Sequence, residues 1–250
     1  MTAPTLSNRQ RYGDLLRTNR LAVLVEIVVV FLPFYVALIV NDGIGTDHIT
    51  LWGDAVVLQG PIVYAGLAAT VLLFWITARL RGATWTDWGV RRPESWLRTV
   101  GLAVVVSLGV FIAVRFAINP ITDALGGTER DMSMYSHLTN SVPTLLINLP
   151  LMWITAGFME ELLWRGYLMK RLVDFQGKES ALAWAIALAA SAAIFGMAHL
   201  FQGPVGMFRT GAIGLVFGVA YLAVGRNLWP LILSHALIDT LDFISHYFGN

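Results

Sequence analysis

The chain has 250 residues, of which 56% are hydrophobic and 13% are charged, and its formal net charge is +1. A soluble domain of this size needs more charged residues to cover its surface, so the composition excludes an ordinary soluble protein and indicates a polytopic membrane protein. Because there is no cysteine, disulfides and thiolate zinc sites are excluded as well.

Seven apolar stretches follow one another along the chain. A helix needs roughly 20 residues to cross about 30 Å of hydrocarbon, and runs this long and continuously apolar exclude the strands of a β-barrel. We therefore predict an all-α, polytopic integral membrane bundle with about seven transmembrane helices (six to eight). The fourth stretch could begin a longer helix that continues through "WRGYLMKRLVDF". The predicted spans are 21–40, 56–79, 98–119, 142–163, 181–201, 208–225 and 228–247.

Basic residues are concentrated at one end of this predicted bundle. Fourteen arginines and lysines lie before the first span or in the loops after the second, fourth and sixth spans, whereas the opposite loops hold only Arg130 and Arg209. The positive-inside rule then places the N-terminus in the cytoplasm. We expect 1–20 to be a cytoplasmic N-terminal segment and 21–250 to be a single membrane domain, in the cell (plasma) membrane.

The stretch "FMEELLWRG" puts Glu160, Glu161 and Arg165 into an apolar span. A charge at bilayer depth costs about 2.5–3.5 kcal/mol on insertion scales, so each charge needs a partner or a purpose. On an α-helix Glu161 and Arg165 are neighbours, and Glu160 projects about 100° away. We predict an ion pair that maintains orientation and one separate carboxylate, Glu160, that is available as a general base.

Two other charges, Glu26 in the first span and Arg115 in the third, have no partner at helical spacing. We expect each to reach the interface or to pair with another span. Small residues beside later polar positions predict close helix packing. They are Ala192 and Gly196, and the stretch "GLVFG" at 214–218.

The later spans contain further polar residues: His199, then His235 and Asp239 four positions apart, then Asp242 and His246 near the end of the last span. A polar stripe on an apolar helix must face protein or a water-filled cavity. We expect Asp242 and His246 to be solvated or structural. The other three, with Glu160, form a predicted inward-facing set on three helices.

This set contains what peptide hydrolysis requires, namely a polarised water, a base and donors for the developing oxyanion. Glu160 and His199 could hold and deprotonate the water, while His235, oriented by Asp239, could donate to the oxyanion. Alternatively, a divalent metal such as Zn²⁺ could activate the water, bound by Glu160, His199 and His235. The spacing does not choose between the two.

Three motifs at these positions resemble those of the CAAX protease and bacteriocin-processing (CPBP, or ABI) family of intramembrane endopeptidases. EExxxR occurs at 160–165, FxxxH at 195–199 and HxxxD, a form of HxxxN/D, at 235–239. The resemblance covers a core at about 142–242, while the first three spans match only as generic helices.

The resemblance implies a CAAX prenyl protease-like enzyme that hydrolyses a peptide bond of a membrane-associated or lipid-anchored protein or peptide, with a Glu/His-activated water or a metal. Its expected partners are the lipid bilayer and that substrate, not nucleic acid. Asp239 stands where prenyl-protein-processing members typically carry Asn, and an ionised aspartate accepts but does not donate hydrogen bonds. The alternatives are a proton-coupled transporter and a catalytically silent scaffold or immunity protein of the same family. The implied catalytic residues are Glu160, His199, His235 and Asp239, supported by Glu161 and Arg165.

Overall fold

The computed structural model describes residues 8–44, 48–51, 56–127 and 132–249. These residues form a bundle of long apolar helices with one short β-hairpin, which confirms the predicted helical membrane architecture. In chain order the elements are α1 (Asn8–Thr18), α2 (Arg20–Ile44), β1 (His48–Leu51), β2 (Val56–Gln59), α3 (Pro61–Arg81), a 3₁₀ turn (Trp85–Trp88), α4 (Trp96–Ala113), a π-helical turn (Val114–Ile118), α5 (Asn119–Ala124), a 3₁₀ helix (Ser133–Leu138), α6 (Val142–Met152), a π-helix (Trp153–Leu168), α7 (Met169–Gln176), α8 (Ala181–Met197), a 3₁₀ turn (Leu200–Gln202), α9 (Gly203–Ala223) and α10 (Trp229–Tyr247).

The chain is a multi-pass membrane protein. Of the described residues, five helical stretches are long and apolar enough to cross a membrane. The apolar α8 has 17 residues and α10, which carries the polar stripe, has 19. Together these seven helices follow the predicted order. The five long stretches are Arg20–Asn41, Pro61–Arg81, Trp96–Ala124, Val142–Gln176 and Leu200–Ala223.

Several predicted boundaries are wrong by a few residues. The second span begins at Pro61 rather than at 56, because Val56–Gln59 pairs with His48–Leu51 as an antiparallel hairpin. The helix of the fifth predicted span, α8, ends at Met197, and the next helix, α9, begins at Gly203. Arg209 therefore lies inside α9 rather than in a loop. Of the other predicted features, Arg130 and positions 1–7 lie outside the described residues.

The fourth span does continue as one helix, Val142–Gln176, which we call the site helix; it has 35 residues. Its middle 16 residues, Trp153–Leu168, are π-helical, with i→i+5 hydrogen bonds. Pro150 precedes this stretch, and a proline inside a helix donates no hydrogen bond and clashes with the carbonyl four residues earlier. Such an interruption accounts for a change in hydrogen-bond pattern just after it. π-Helical segments are rare and are frequent at functional sites.

Aromatic packing fixes the site helix against the first helices. The Trp164 ring lies 4.8 Å from that of Phe31 on α2, and the Tyr167 ring lies 5.4 Å from that of Phe74 on α3 and 5.6 Å from that of Trp88. All five rings are buried. Because lipid tails are as apolar as these rings, close van der Waals packing of the cluster sets the position of the site helix.

The predicted close packing at small residues is confirmed. A Cβ on Gly196 of α8 would lie 2.7 Å from the backbone oxygen of Met207 on α9, and one on Gly214 would lie 2.8 Å from the Phe195 ring. Only glycine permits these approaches. They bring α8 and α9 against each other and against the site helix.

Glu26 pairs with residues of other spans, which confirms one of the two predictions made for it. Its carboxylate is 3% exposed and forms ion pairs with Arg81, at 3.1 Å, and with Arg171. The Tyr167 hydroxyl donates to it at 3.2 Å, and Arg171 also donates to the Leu16 carbonyl. One buried acid thus joins α2, α3 and the C-terminal part of the site helix.

Candidate active site

The centre of the site is the carboxylate of Glu161, which is fully buried. Its Oε1 accepts a hydrogen bond from Arg165 Nη1 at 2.9 Å, which confirms the predicted ion pair. The same oxygen lies 2.8 Å from Nδ1 of His235 on α10. This second contact could not be predicted from helical spacing, because the two residues are 74 positions apart.

The approach of α10 to the site helix depends on small side chains. A Cβ on Gly157 would lie 3.3 Å from the Cβ of Ala236, next to His235. On its other side α10 is held by Ser234, whose fully buried hydroxyl lies 2.9 Å from that of Ser107 on α4. His235 is therefore positioned by packing on both sides of its helix.

Arg165 is enclosed by aromatic rings of two further helices. Its guanidinium carbon lies 4.7 Å from the Phe195 ring centroid on α8 and 5.2 Å from that of Phe217 on α9. Nη2 also donates to the Gly214 carbonyl at 3.3 Å. A desolvated cation–π contact contributes about 2 kcal/mol, so Arg165 fixes the Glu161 carboxylate relative to three helices.

His235 faces a carboxylate at each ring nitrogen. Nδ1 faces Glu161, and Nε2 lies 3.5 Å from Oδ2 of Asp239. A neutral imidazole donates from one nitrogen only, whereas an imidazolium donates from both. Two acceptors therefore favour a ring that donates on both sides. At 3.5 Å the contact to Asp239 is long for a hydrogen bond, so the Nε2 proton is only weakly engaged.

Glu160 is half-buried and lies outside the Glu161–Arg165 pair. It is next to Glu161, whose carboxylate contacts His235 on α10. The structure thus brings five predicted residues into one region between the site helix and α10, with Glu160 as the separate carboxylate.

His199 lies in the turn between α8 and α9 and is half-buried. Its Nδ1 is 2.9 Å from the Phe195 carbonyl. Its ring is 4.8 Å from the Phe195 ring and 5.7 Å from the Phe201 ring. Because a carbonyl only accepts, Nδ1 carries the proton, and Nε2 is the basic nitrogen of the neutral ring. The Phe195 ring thus contacts both His199 and Arg165. That His199 and Glu160 bind the same water molecule stays a prediction.

A metal bound by Glu160, His199 and His235 was left open by the sequence as an alternative, and the described side chains do not favour it. Within the described ranges, no three histidine, aspartate or glutamate side chains are grouped so that they could hold a metal ion. A metal-binding imidazole needs an unprotonated nitrogen, yet both nitrogens of His235 face the carboxylates of Glu161 and Asp239.

Comparison with protein families agrees with the three motifs. Residues 142–241 match the family model described as "Type II CAAX prenyl endopeptidase Rce1-like". The matched segment begins with the site helix and ends within α10, so it contains every residue of the candidate site. Comparisons with curated proteins and with solved structures gave no match.

Proposed function

We propose, on the premise that residues 142–241 belong to the Rce1-like family of prenyl endopeptidases, that this chain cleaves a peptide bond near the membrane-anchored end of its substrate. At the family level it is a CAAX-type intramembrane endopeptidase with a membrane-associated substrate. The family is described as a "CAAX prenyl endopeptidase", and we propose prenylated peptides as the substrate class here.

Glu160 acts as the general base in this proposal. Within the described part of the chain no arginine forms an ion pair with Glu160, whereas Glu161 is already bonded to Arg165 and His235. Glu160 takes a proton from a water molecule, and the resulting hydroxide attacks the carbonyl carbon of the scissile bond. The basic nitrogen of His199 accepts a hydrogen bond from the same water and orients it.

His235 stabilises the tetrahedral intermediate. Glu161 holds the ring through Nδ1 at 2.8 Å, and the weakly engaged Nε2–H donates to the developing oxyanion. Asp239 orients the ring and stabilises its positive charge, but as an ionised carboxylate it donates nothing. A preorganised donor of this kind typically contributes about 10²–10³-fold to the rate.

Collapse of the intermediate completes the reaction. The protonated Glu160 gives its proton to the amide nitrogen as the carbon–nitrogen bond breaks, so the products are a carboxylic acid and a free amine. Glu160 returns to its ionised form. Arg165 and Glu161 stay bonded throughout and keep His235 in place.

The single observation that supports this function most is the alignment of His235 between Glu161 and Asp239, beside the separate carboxylate of Glu160. The test uses the purified protein in detergent with a quenched fluorescent peptide that ends in a prenylated cysteine and three further residues. We expect cleavage after the cysteine, and slower cleavage of the matched unprenylated peptide. Cleavage of neither peptide, together with proton-driven transport in liposomes, would favour a transporter instead.

A further inference from the structure

A second polar region lies at the basic end of the bundle, away from the candidate active site. A cavity of about 250 Å³ forms where the loop after α3, the α7–α8 connection and the α9–α10 turn meet. Lys170 on its wall is ten positions beyond Glu160 along the site helix, roughly 15 Å at 1.5 Å per residue. The charged or hydroxyl-bearing residues of its wall that matter here are Asp87, Arg91, Lys170, Glu179, Tyr221 and Arg226.

The two carboxylates of this wall already have donors. Asp87 Oδ2 accepts hydrogen bonds from the backbone N–H and the hydroxyl of Thr84, at 2.7 and 2.8 Å. Glu179 Oε1 accepts from Arg226 Nη1 at 2.8 Å and from Trp184 Nε1 at 3.1 Å. Neither acid therefore needs a cationic ligand from outside.

Arg91, unlike these two carboxylates, is only partly bonded. Its Nη2 donates to the backbone carbonyls of Gly225 and Arg226, each at 2.9 Å. Its Nε is buried without a hydrogen-bond partner, and no carboxylate of the described residues forms an ion pair with it. Its positive charge is thus not neutralised by a neighbouring acid.

Tyr221 supplies a second uncommitted donor. The residue is 2% exposed, yet its hydroxyl makes no hydrogen bond with any part of the chain that the structure describes. The residue lines the cavity, so its hydroxyl can donate to a ligand there. Two of the three cations on the wall already have carboxylate partners, because Lys170 pairs with Asp174 and Arg226 pairs with Glu179. The unneutralised charge of the wall is therefore that of Arg91.

The position of the cavity also suits a lipid headgroup. Trp85 and Trp96 beside this end of the bundle are about half exposed, and tryptophans concentrate at headgroup level in membranes. Basic pockets between helices at that level bind phosphate-containing headgroups. The planar guanidinium of arginine matches phosphate oxygens in charge and geometry.

We propose that this cavity binds a phosphate group, either in the headgroup of a membrane phospholipid or as free phosphate, through Arg91 and Tyr221. The Arg91 guanidinium supplies the charge, and the Tyr221 hydroxyl donates a hydrogen bond from the neighbouring helix. The ligand would tie the loop after α3 to the α9–α10 turn.

The test measures binding of phosphatidylglycerol to the purified full chain in detergent by native mass spectrometry, with inorganic phosphate as competitor. Tyr221→Phe is the decisive variant, because the hydroxyl it removes makes no bond within the described chain and folding should be retained. Arg91→Gln removes the charge, and Arg92→Gln, an exposed neighbour, is the matched control. We expect roughly tenfold weaker binding for Tyr221→Phe and Arg91→Gln and no change for Arg92→Gln.

The competition distinguishes the two sources of the phosphate. Displacement of the lipid only by other phospholipids identifies a headgroup site, and displacement by millimolar inorganic phosphate identifies a site for the phosphate itself; both support the proposal. Equal lipid binding by the wild type, Tyr221→Phe and Arg92→Gln overturns it. So does the absence of binding by both the lipid and inorganic phosphate.

Discussion

Nδ1 of His235 lies 2.8 Å from Oε1 of Glu161, the same oxygen that accepts a hydrogen bond from Arg165. One carboxylate oxygen thus connects the ion pair of the site helix with the histidine of α10. The Glu161–Arg165 pair, which supports the site, and His235, the proposed oxyanion donor, are parts of one buried network. A change at Glu161 should therefore affect both folding and activity.

Glu161→Gln should destabilise the protein strongly. The change leaves the buried Arg165 without a counter-charge, and removal of one partner from a buried pair costs about 3–5 kcal/mol. Thermal unfolding in detergent measures the effect. Glu160→Gln is the matched control, since Glu160 is half-buried and outside the pair; similar melting temperatures for the two variants would show that the Arg165 pair contributes little.

Glu160→Gln should fold normally and lose peptidase activity. A glutamine has the shape of the glutamate but cannot take the proton of the water, and general base catalysis contributes about 10²–10⁴-fold. Cleavage of the prenylated peptide by the purified variant measures the loss. The exposed Glu94 provides the control variant, Glu94→Gln, which should keep wild-type turnover; full turnover by Glu160→Gln would remove Glu160 from the mechanism.

Gly196→Ala should destabilise the packing of α8 on α9. The new Cβ would lie 2.7 Å from the Met207 backbone oxygen, so the helices must separate, and overpacking of this kind costs about 1–3 kcal/mol. Gly109→Ala on α4 is the control, because a Cβ there has nothing within 4 Å and should be neutral or slightly stabilising. The melting temperatures of the two variants test this prediction. Equal values would contradict the close approach of α8 to α9.

The loop after α3 should contribute a pH-dependent part of the stability. Hydrogen bonds from the Thr84 backbone and hydroxyl hold the pKa of Asp87 below its ordinary value of 3.8. Because the folded-state pKa is lowered, this contribution is fully present above pH 3.8 and is lost as the pH falls through the lowered value. Melting curves between pH 7 and pH 3 test this. The melting temperature of Asp87→Asn should fall less than that of the wild type as the pH is lowered. If both fall equally, other acids cause the loss of stability.

Much of the site could be predicted, because its residues either lie at helical spacing from one another or have charges that are energetically costly inside a membrane. Glu161 and Arg165 are four positions apart, and a charge inside an apolar span must have a partner. The small residues at 196 and 214 likewise predicted where helices meet. These inferences need only local geometry.

The remaining features depend on contacts between distant parts of the chain. No spacing rule connects Glu161 with His235, and Phe217 became part of the site only because α9 packs over Arg165. The π-helical hydrogen bonds of 153–168 were also missed, since the sequence pattern was interpreted with α-helical geometry. The hairpin before α3 was missed because its residues, Val56–Gln59, are as apolar as the start of a span.

The pairing of Glu26 has a consequence for the order of assembly. Its partners Arg81 and Arg171 come 55 and 145 positions later in the chain, so α2 is synthesised before either cation. At about 5–20 residues per second, the wait for Arg171 lasts roughly 7–30 s. Arg81 can pair with the carboxylate earlier in synthesis, but the full set of partners that fixes α2 is complete only after the site helix has been made.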